Sequence, residues 1–586
     1  MKNSNLILGI SDSVDCGATI TKGNEILCSI NEERFNRKKF CYGFPKKSIL
    51  SSLKVSKIKS KDVKVVAIAG ISRITENLTP YNNLFHNNKK KTHDLVWKIA
   101  NIISFLSNNF IFKIFFRSAF FLFFLRNIYF KSFLFLRKKN ILDNLKKINI
   151  NPEQIFFYDH HECHIFSAYS LSPYKKALVV SNDGFGDGLC SKSNYISVKK
   201  NINLSQNTFY NSLGLIYGYC SDLCGYKKFY HNGKTTGIAM LGDGKNVENE
   251  LNKIFFFNDK NGNYVNNGSL FRSAYLEIKK KLKKFSKYQI ANGIQSLTNR
   301  LIFKQVEFLL KKIKITNICL TGGVHANVAA NGFLRNKLNK KNIYVCPHMG
   351  DGGLALGACA LAYFQLNAKN VKYKNENIYL GDEFSNEEIL KEIYKNKVKF
   401  KKIDHLSMYK IISRNLAKNK IVSIYSGRME FGPRALGNRS ILANASDESI
   451  NQKLNKKLNR TETMPFAPVI LKGLAYKMIK NYRKNDIDSC QNMTMCVDAS
   501  EYMKKIAPGA VAKDGTIRPQ LINKKINKLL YNILLEYYKI TNVPSIINTS
   551  FNLHDEPIVR TPSEAIKSFK ISKLDAMIIG DYILKK

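Results

Sequence analysis

The run Gln154-Ile155-Phe156-Phe157-Tyr158-Asp159-His160-His161-Glu162-Cys163-His164 decides the fold class of this 586-residue chain, together with the strand and glycine-rich turn downstream of it. Residues 154–158 read as a short strand and residues 160–171 as a helix. An apolar strand at 177–181 (ALVVS) then runs into Asp183-Gly184-Phe185-Gly186-Asp187-Gly188. Strand, helix, strand and glycine-rich turn in this order indicate α/β layers. The pattern recurs at 317–321 (NICLT), 343–346 and the Ala-rich helix 354–364, which is preceded by Gly350-Asp351-Gly352-Gly353.

The same stretch carries the strongest chemistry. On a helix, His160 and His164 are four residues apart and share a face, so two imidazoles can reach one metal ion, or pack as structural histidines. His161 points about 100° away, free to serve a substrate. An Asp at a strand end followed by glycines brings backbone amides near phosphate, or makes a tight turn. Histidines with carboxylates form a mixed N/O donor set with room for an open position.

Working outward, residues 5–30 read as two strands, LILGIS and EILCSI, with a Gly-containing turn between them, and 63–69 (VKVVAIA) as another. A helical insert near 85–150 holds a basic run at 87–91 and an aromatic segment, 99–136. Lys113, Arg117, Arg126 and Lys131 interrupt that segment, so no uncharged stretch reaches the roughly 18 residues a spanning helix needs. It reads as buried helices or as a membrane-surface helix. The polar stretch 366–402 reads as a linker between a first domain, 1–365, and a second α/β domain, 403–586.

The second domain holds Ser426-Gly427-Arg428-Met429-Glu430-Phe431-Gly432-Pro433-Arg434-Ala435-Leu436-Gly437-Asn438-Arg439-Ser440. Three arginines interleaved with glycine and proline suit bidentate recognition of phosphate or carboxylate. Asp514-Gly515-Thr516-Ile517-Arg518-Pro519 and Asn548-Thr549-Ser550-Phe551-Asn552 add small polar donors, each also readable as a turn or cap.

Composition limits the function classes. Aromatics at 11% and recurring apolar segments exclude a disordered chain. With 93 basic and 44 acidic residues the net charge is +49, but the lysines are spread along the whole chain rather than gathered in a stripe, so nucleic-acid binding is not expected. The twelve cysteines are irregularly spaced, with no C-x-x-C, which suits a reducing compartment. The first residues hold no signal-length apolar run, and the protein reads as cytoplasmic, with peripheral membrane contact through the aromatic insert as the variant.

At these residues the chain resembles the O-carbamoyltransferases of the NodU/CmcH type. The likeness runs through INEERFNRKK, HHECHIFSAY, SNDGFGDG, TGGVHANVAANG, GDGGLALGA, GRMEFGPRALGNRSIL, PFAPVI, DGTIRPQ and INTSFNLHDEPIV. It implies an actin/sugar-kinase-like domain followed by a YrdC-like α/β domain. It implies that ATP, with Mg, and carbamoyl phosphate give a carbamoyl-adenylate, whose carbamoyl group passes to a hydroxyl of a sugar, glycan or other small acceptor. It also implies Fe(II), or another divalent metal, on His160, His164, Asp183 and Asp351. Nucleotide or carbamoyl atoms would lie near Gly184, Gly186, Gly322, Gly323, Gly352, Gly353, Arg428, Arg434, Arg439, Arg518, Asn548, Ser550 and Asn552. Lys39 matches a basic position near the phosphate, Asp12 or His161 is the candidate base for the acceptor, and a homodimer is favoured. The chain departs from the pattern at Val14, Asn232, Met464 and Ala512. Two other readings remain: a tRNA threonylcarbamoyl-transfer enzyme, which uses related domains, and a membrane-associated non-catalytic relative.

Overall fold

A computed structural model describes residues 6–72, 102–117, 119–374, 377–461 and 464–585; the start of the helical insert, with its basic run at 87–91, lies outside them. The chain separates into two compact units. The first is Met1–Asn24, Cys41–Lys46 and Ile58–Tyr373, and the second is Glu25–Phe40, Lys47–Lys57 and Lys374–Lys586.

The first unit is built on a repeated topology. Leu6–Ser11 pairs antiparallel with Gly17–Lys22 and parallel with Val65–Ala69, which in turn pairs parallel with Gln154–Tyr158. Lys176–Gly186 pairs antiparallel with Leu189–Ser197 and parallel with Asn317–Thr321, which pairs parallel with Asn342–Val345. A hairpin followed by two parallel additions, made twice, is the arrangement expected of an actin/sugar-kinase-like module. The parallel strands carry near-continuous apolar runs because both faces are covered.

Two helices lie at the centre of this unit. His160–Leu171 begins at Asp159, whose carboxylate accepts from the Glu162 amide at 3.1 Å, and nearly all of its residues are buried. Leu354–Asn367 packs against it at Gly357, where a Cβ would come within 1.8 Å of the Cys163 carbonyl oxygen. At its other side Gly9 gives the same helix room, since a Cβ there would meet the Ala355 carbonyl at 2.1 Å. Backbones approach this closely only where the side chain is a hydrogen.

The second unit holds an eight-stranded mixed sheet. Its order is Phe400–Lys402, Tyr582–Lys585, Ala576–Ile579, Val422–Tyr425, Arg439–Asn444, Ser545–Ser550, Ala467–Leu471 and Gln520–Ile522. Helices His405–Ala417 and Lys528–Thr541 cover it with Ile412, Leu416, Ile533, Leu534 and Tyr537, all buried against Val422, Ile424 and Leu442 of the strands.

Three expectations differ from what is found. The N-terminal hairpin has an extra strand, Gly17–Lys22, where the sequence suggested a turn; its Thr19 and Thr21 are polar but buried, which hides the strand pattern. Asp183 lies within the strand Lys176–Gly186 rather than beyond its end, because the strand continues through an irregularity between Asn182 and Gly186. Residues 366–402 hold the capped helix Asn386–Lys395 and the edge strand Phe400–Lys402, and the helix reads as linker because only Ile389 and Ile393 are buried among charged neighbours.

Candidate metal centre and arginine-rich loop

Four side chains converge in the first unit. His160 and His164 come from the first two turns of their helix, Asp183 from the following strand, and Asp351 from the short turn that opens Leu354–Asn367. One ligand atom from each lies within 4.8 Å of all the others. His160 Nε2 is 3.1 Å from His164 Nε2, 3.3 Å from Asp183 Oδ2 and 3.5 Å from Asp351 Oδ1. His164 Nε2 is 3.4 Å from Asp351 Oδ1 and 3.9 Å from Asp183 Oδ2. Two donors about 2.1 Å from one ion lie roughly 3.0 Å apart at right angles and roughly 3.4 Å apart at the tetrahedral angle. The observed spacings match those of donors around one divalent ion, and two imidazole nitrogens with two carboxylate oxygens suit such an ion chemically.

The electrostatics follow from that crowding. Burial opposes a charge on His160, but the Asp351 charge and the hydrogen bond and charge of Asp183 outweigh it and lift the group to about 10. Burial would push Asp183 up, yet the His160 hydrogen bond and the His164 and His160 charges hold it well below the usual carboxylate range. Burial, then the His160 and His164 charges, push His161 well below its ordinary value. His161 is fully buried, with Nδ1 2.9 Å from the Ser181 hydroxyl.

The surrounding glycines make space for this cluster. A Cβ on Gly186 would come within 2.2 Å of the His160 ring, and one on Gly323 within 2.6 Å of Asp183 Oδ1. The Gly323 amide donates to that same oxygen at 2.9 Å. Gly322 takes φ +89 and faces the Asn182 backbone, whereas Gly184 faces open space. Gly352 is pressed against His348 and Asp15, and Gly353 against the His348 carbonyl. Asp12, a candidate base, is fully buried and accepts from Arg137 Nη2 at 2.6 Å, which gives it a tethering role.

Two residues that sequence reasoning did not single out organise the centre. The Asp187 carboxylate accepts from the amides of Ile71 (2.8 Å), Ser72 (2.7 Å) and His160 (2.8 Å), fixing the start of the ligand helix. It was visible as the second Asp of the glycine-rich turn. Arg137 reaches Asp12 and the carbonyls of Ala69, Gly70 and Ser72 from the long helix Ala119–Lys146. Nothing in its local sequence distinguishes it from the lysines beside it.

In the second unit the arginine-rich loop is wound around Glu430. Its buried carboxylate accepts from the amides of Leu436 (2.8 Å), Asn438 (2.9 Å) and Arg439 (3.1 Å). The three arginines then differ in kind. Arg439 is fully buried, donates to the carbonyls of Ser426, Asn438 and Gly427, and lies 3.8 Å over the Tyr425 ring. Arg428 donates to the carbonyls of Gly381, Leu27 and Leu380. The family resemblance assigns both to phosphate or nucleotide; in this structure their guanidinium donors brace main-chain carbonyls.

Arg434 is half-buried, and both Arg434 and Arg518 act electrostatically on the Cys496 thiol, which burial pushes up to about 12 against their pull. Asn548 joins the two loops by donating to the Ala435 carbonyl and to Gln520 Oε1, while Gln520 donates to the Leu436 carbonyl. Ser550 and Asn552 are gathered by Arg460, whose Nη2 donates to both carbonyls and to Asn552 Oδ1 at 2.7 Å. Arg460 lies outside every motif read from the sequence. Desolvation lowers the Lys39 ammonium, with Arg460 and Arg34 adding to the effect and Glu33 and Asp555 opposing it.

Fold and site define an α/β protein of two units with a mixed His/Asp centre in the first. Family models divide the chain accordingly: Carbamoyltransferase N-terminus matches residues 6–360, and Carbamoyltransferase C-terminus matches residues 413–586. The chain belongs to the carbamoyltransferase family and is a carbamoyltransferase enzyme. An uncharacterized protein of Methanocaldococcus jannaschii is 32% identical over 99% of this chain and 100% of its own length. Nodulation protein NolO of Bradyrhizobium diazoefficiens is 28% identical over 73% of this chain and 79% of its own. A solved structure of full-length HypF in the phosphate- and nucleotide-bound form aligns with TM-score 0.31 and 14% identity over 62% of this chain and 46% of that one, a likeness too weak to carry an argument.

Proposed function

We propose that the protein is an ATP-dependent O-carbamoyltransferase that carries out its reaction in two halves. In the second, YrdC-like unit water first cleaves carbamoyl phosphate to carbamate and phosphate, and a carbamate oxygen then attacks the α-phosphorus of ATP to give carbamoyl-adenylate and release pyrophosphate. The first unit transfers the carbamoyl group to the hydroxyl of a sugar, glycan or other small acceptor, releasing AMP. The observation that carries this reading is the convergence of His160, His164, Asp183 and Asp351 within 4.8 Å in a chain of the carbamoyltransferase family. His160, His164, Asp183 and Asp351 would hold a divalent ion, Fe(II) by the family resemblance, which would supply Lewis-acid chemistry at this site.

The remaining steps belong to the chain itself. Arg434 and Arg518 oppose the negative oxygens of carbamoyl phosphate and ATP, where fixed cationic donors act most strongly once water is excluded. Asn548 keeps their loops together through the Ala435 carbonyl and Gln520. Arg460 orients the Ser550 and Asn552 polar groups toward the same chemistry. In the first unit the Gly323 amide and the His160 ring hold Asp183 from two sides, so the carboxylate keeps one orientation while adenylate enters. Asp187 fixes the backbone from which His160 projects.

The test uses the purified full chain with Fe(II), Mg-ATP and carbamoyl phosphate but no acceptor. Pyrophosphate release that disappears in Arg434→Ala and survives in Asp351→Asn supports adenylation in the second unit. Release lost in Asp351→Asn but retained in Arg434→Ala overturns the division of labour, and no release at all overturns the ATP-dependent route.

A further inference from the structure

We propose that the helical insert of the first unit is a docking surface for an anionic lipid bilayer. Residues 95–142 hold no acidic residue, eight lysines and arginines, and twelve of the chain's 37 phenylalanines. Such a segment would be expected to fold its aromatic side chains inward, yet many point to solvent. Phe105 is 76% exposed and Ile111 61%, and Phe112, Ile114, Phe115 and Phe124 are exposed as well. Ile111, Ile114 and Phe115 fall on one face of the helix Phe110–Arg117, since residues three and four apart are neighbours there.

The base of this projection is pinned by polar contacts within its own unit. The Leu270 amide donates to the Ser107 hydroxyl at 3.0 Å, and the Ser104 hydroxyl donates to the Leu270 carbonyl at 3.2 Å. Asn108 Nδ2 donates to the Ser273 hydroxyl at 3.0 Å, and the Ser269 hydroxyl donates to Asn108 Oδ1 at 3.0 Å. The apolar face therefore begins at a fixed point on the unit's surface.

Charge decides between the occupants. A second copy of this chain would bring two acid-free, basic segments against each other, and the like charges would repel. An anionic headgroup layer neutralises the basic residues other than Arg137, which is buried and already paired with Asp12, while its acyl boundary takes the isoleucine and phenylalanine side chains. Among the described residues no helix is long and apolar enough to cross a membrane. This proposal does not rest on the carbamoyl-transfer reading.

The experiment is flotation of the full chain with vesicles of neutral phosphatidylcholine, or with roughly a third of it replaced by phosphatidylglycerol, at low and high salt. The expected result is flotation with the anionic vesicles only, weakened by salt, and a vesicle partition coefficient at least about tenfold lower in Ile111→Ser/Ile114→Ser/Phe115→Ser. Phe105→Ser alone, with a circular-dichroism melt for each variant, separates a lost contact from a lost fold. Absence from the anionic vesicles, or flotation of the folded triple variant like the parent, overturns the proposal. Self-association that the triple variant abolishes, without flotation of the parent, assigns the face to a second copy and overturns it equally.

Discussion

The proton on His160 should make metal binding strongly pH-dependent. In the metal-free protein Asp351 and Asp183 hold the imidazole protonated up to about 10, so at neutral pH an arriving ion must displace that proton. Asp183 is already ionised throughout this range, because its carboxyl lies well below the usual values. One proton leaves for each ion bound, and the association constant therefore rises about tenfold for each pH unit below about 10. Between pH 6 and pH 8 this is a gain of roughly a hundredfold, or about 2.7 kcal/mol. Competition against a chelator of known pH dependence, using Mn(II) or Zn(II) so that oxidation does not interfere, measures it directly. Isothermal titration in buffers of different ionisation enthalpy counts the protons released. A constant that stays flat between pH 6 and pH 8 would refute the argument, since it would mean that no proton occupies the site the ion takes.

Other perturbations bear on the same two sites. In the chelated protein, the contribution of the raised His160 pKa to stability is fully present below about 6.5 and fades toward about 10, so the melting temperature should fall over that range and regain its value on metal addition. Gly186→Ala puts a methyl group where the His160 ring stands and should weaken metal binding at least about tenfold with little change in far-ultraviolet circular dichroism; an unaltered affinity would mean that the ring has room to move. Arg439→Ala, which strips donors from three main-chain carbonyls and a cation from the Tyr425 face, should cost roughly 2–4 kcal/mol in urea unfolding of the second unit; an unchanged urea midpoint would refute that bracing role.

The four residues of the His/Asp cluster were legible in the sequence because their signals are short-range. His160 and His164 share a helix face by spacing alone, and the carboxylates Asp183 and Asp351 stand in glycine-marked turns. Their meeting in space needs the repeated sheet topology, which the sequence conveys only through widely separated apolar runs and the family likeness. The arginine-rich loop misleads for the opposite reason. Arg428, Arg434 and Arg439 look alike in sequence, and the main-chain carbonyls that Arg428 and Arg439 reach come from segments distant in the chain or from the loop's own fold. Gly17–Lys22 was hidden by buried threonines, and Arg460 by a polar setting that resembles a surface loop. Arg137 shows the same limit, because a lone arginine among lysines reveals its partner only once Asp12 is folded beside it.

The four side chains of the His/Asp cluster are also separated in time. His160 leaves the ribosome 191 residues before Asp351, the difference between their numbers, and at ordinary synthesis rates that interval lasts about 10–40 s. During it the nascent chain carries the two imidazoles with Asp183 but lacks the carboxylate that completes the set. The cluster is accordingly complete only late in synthesis, once Asp351 has joined the three side chains made before it.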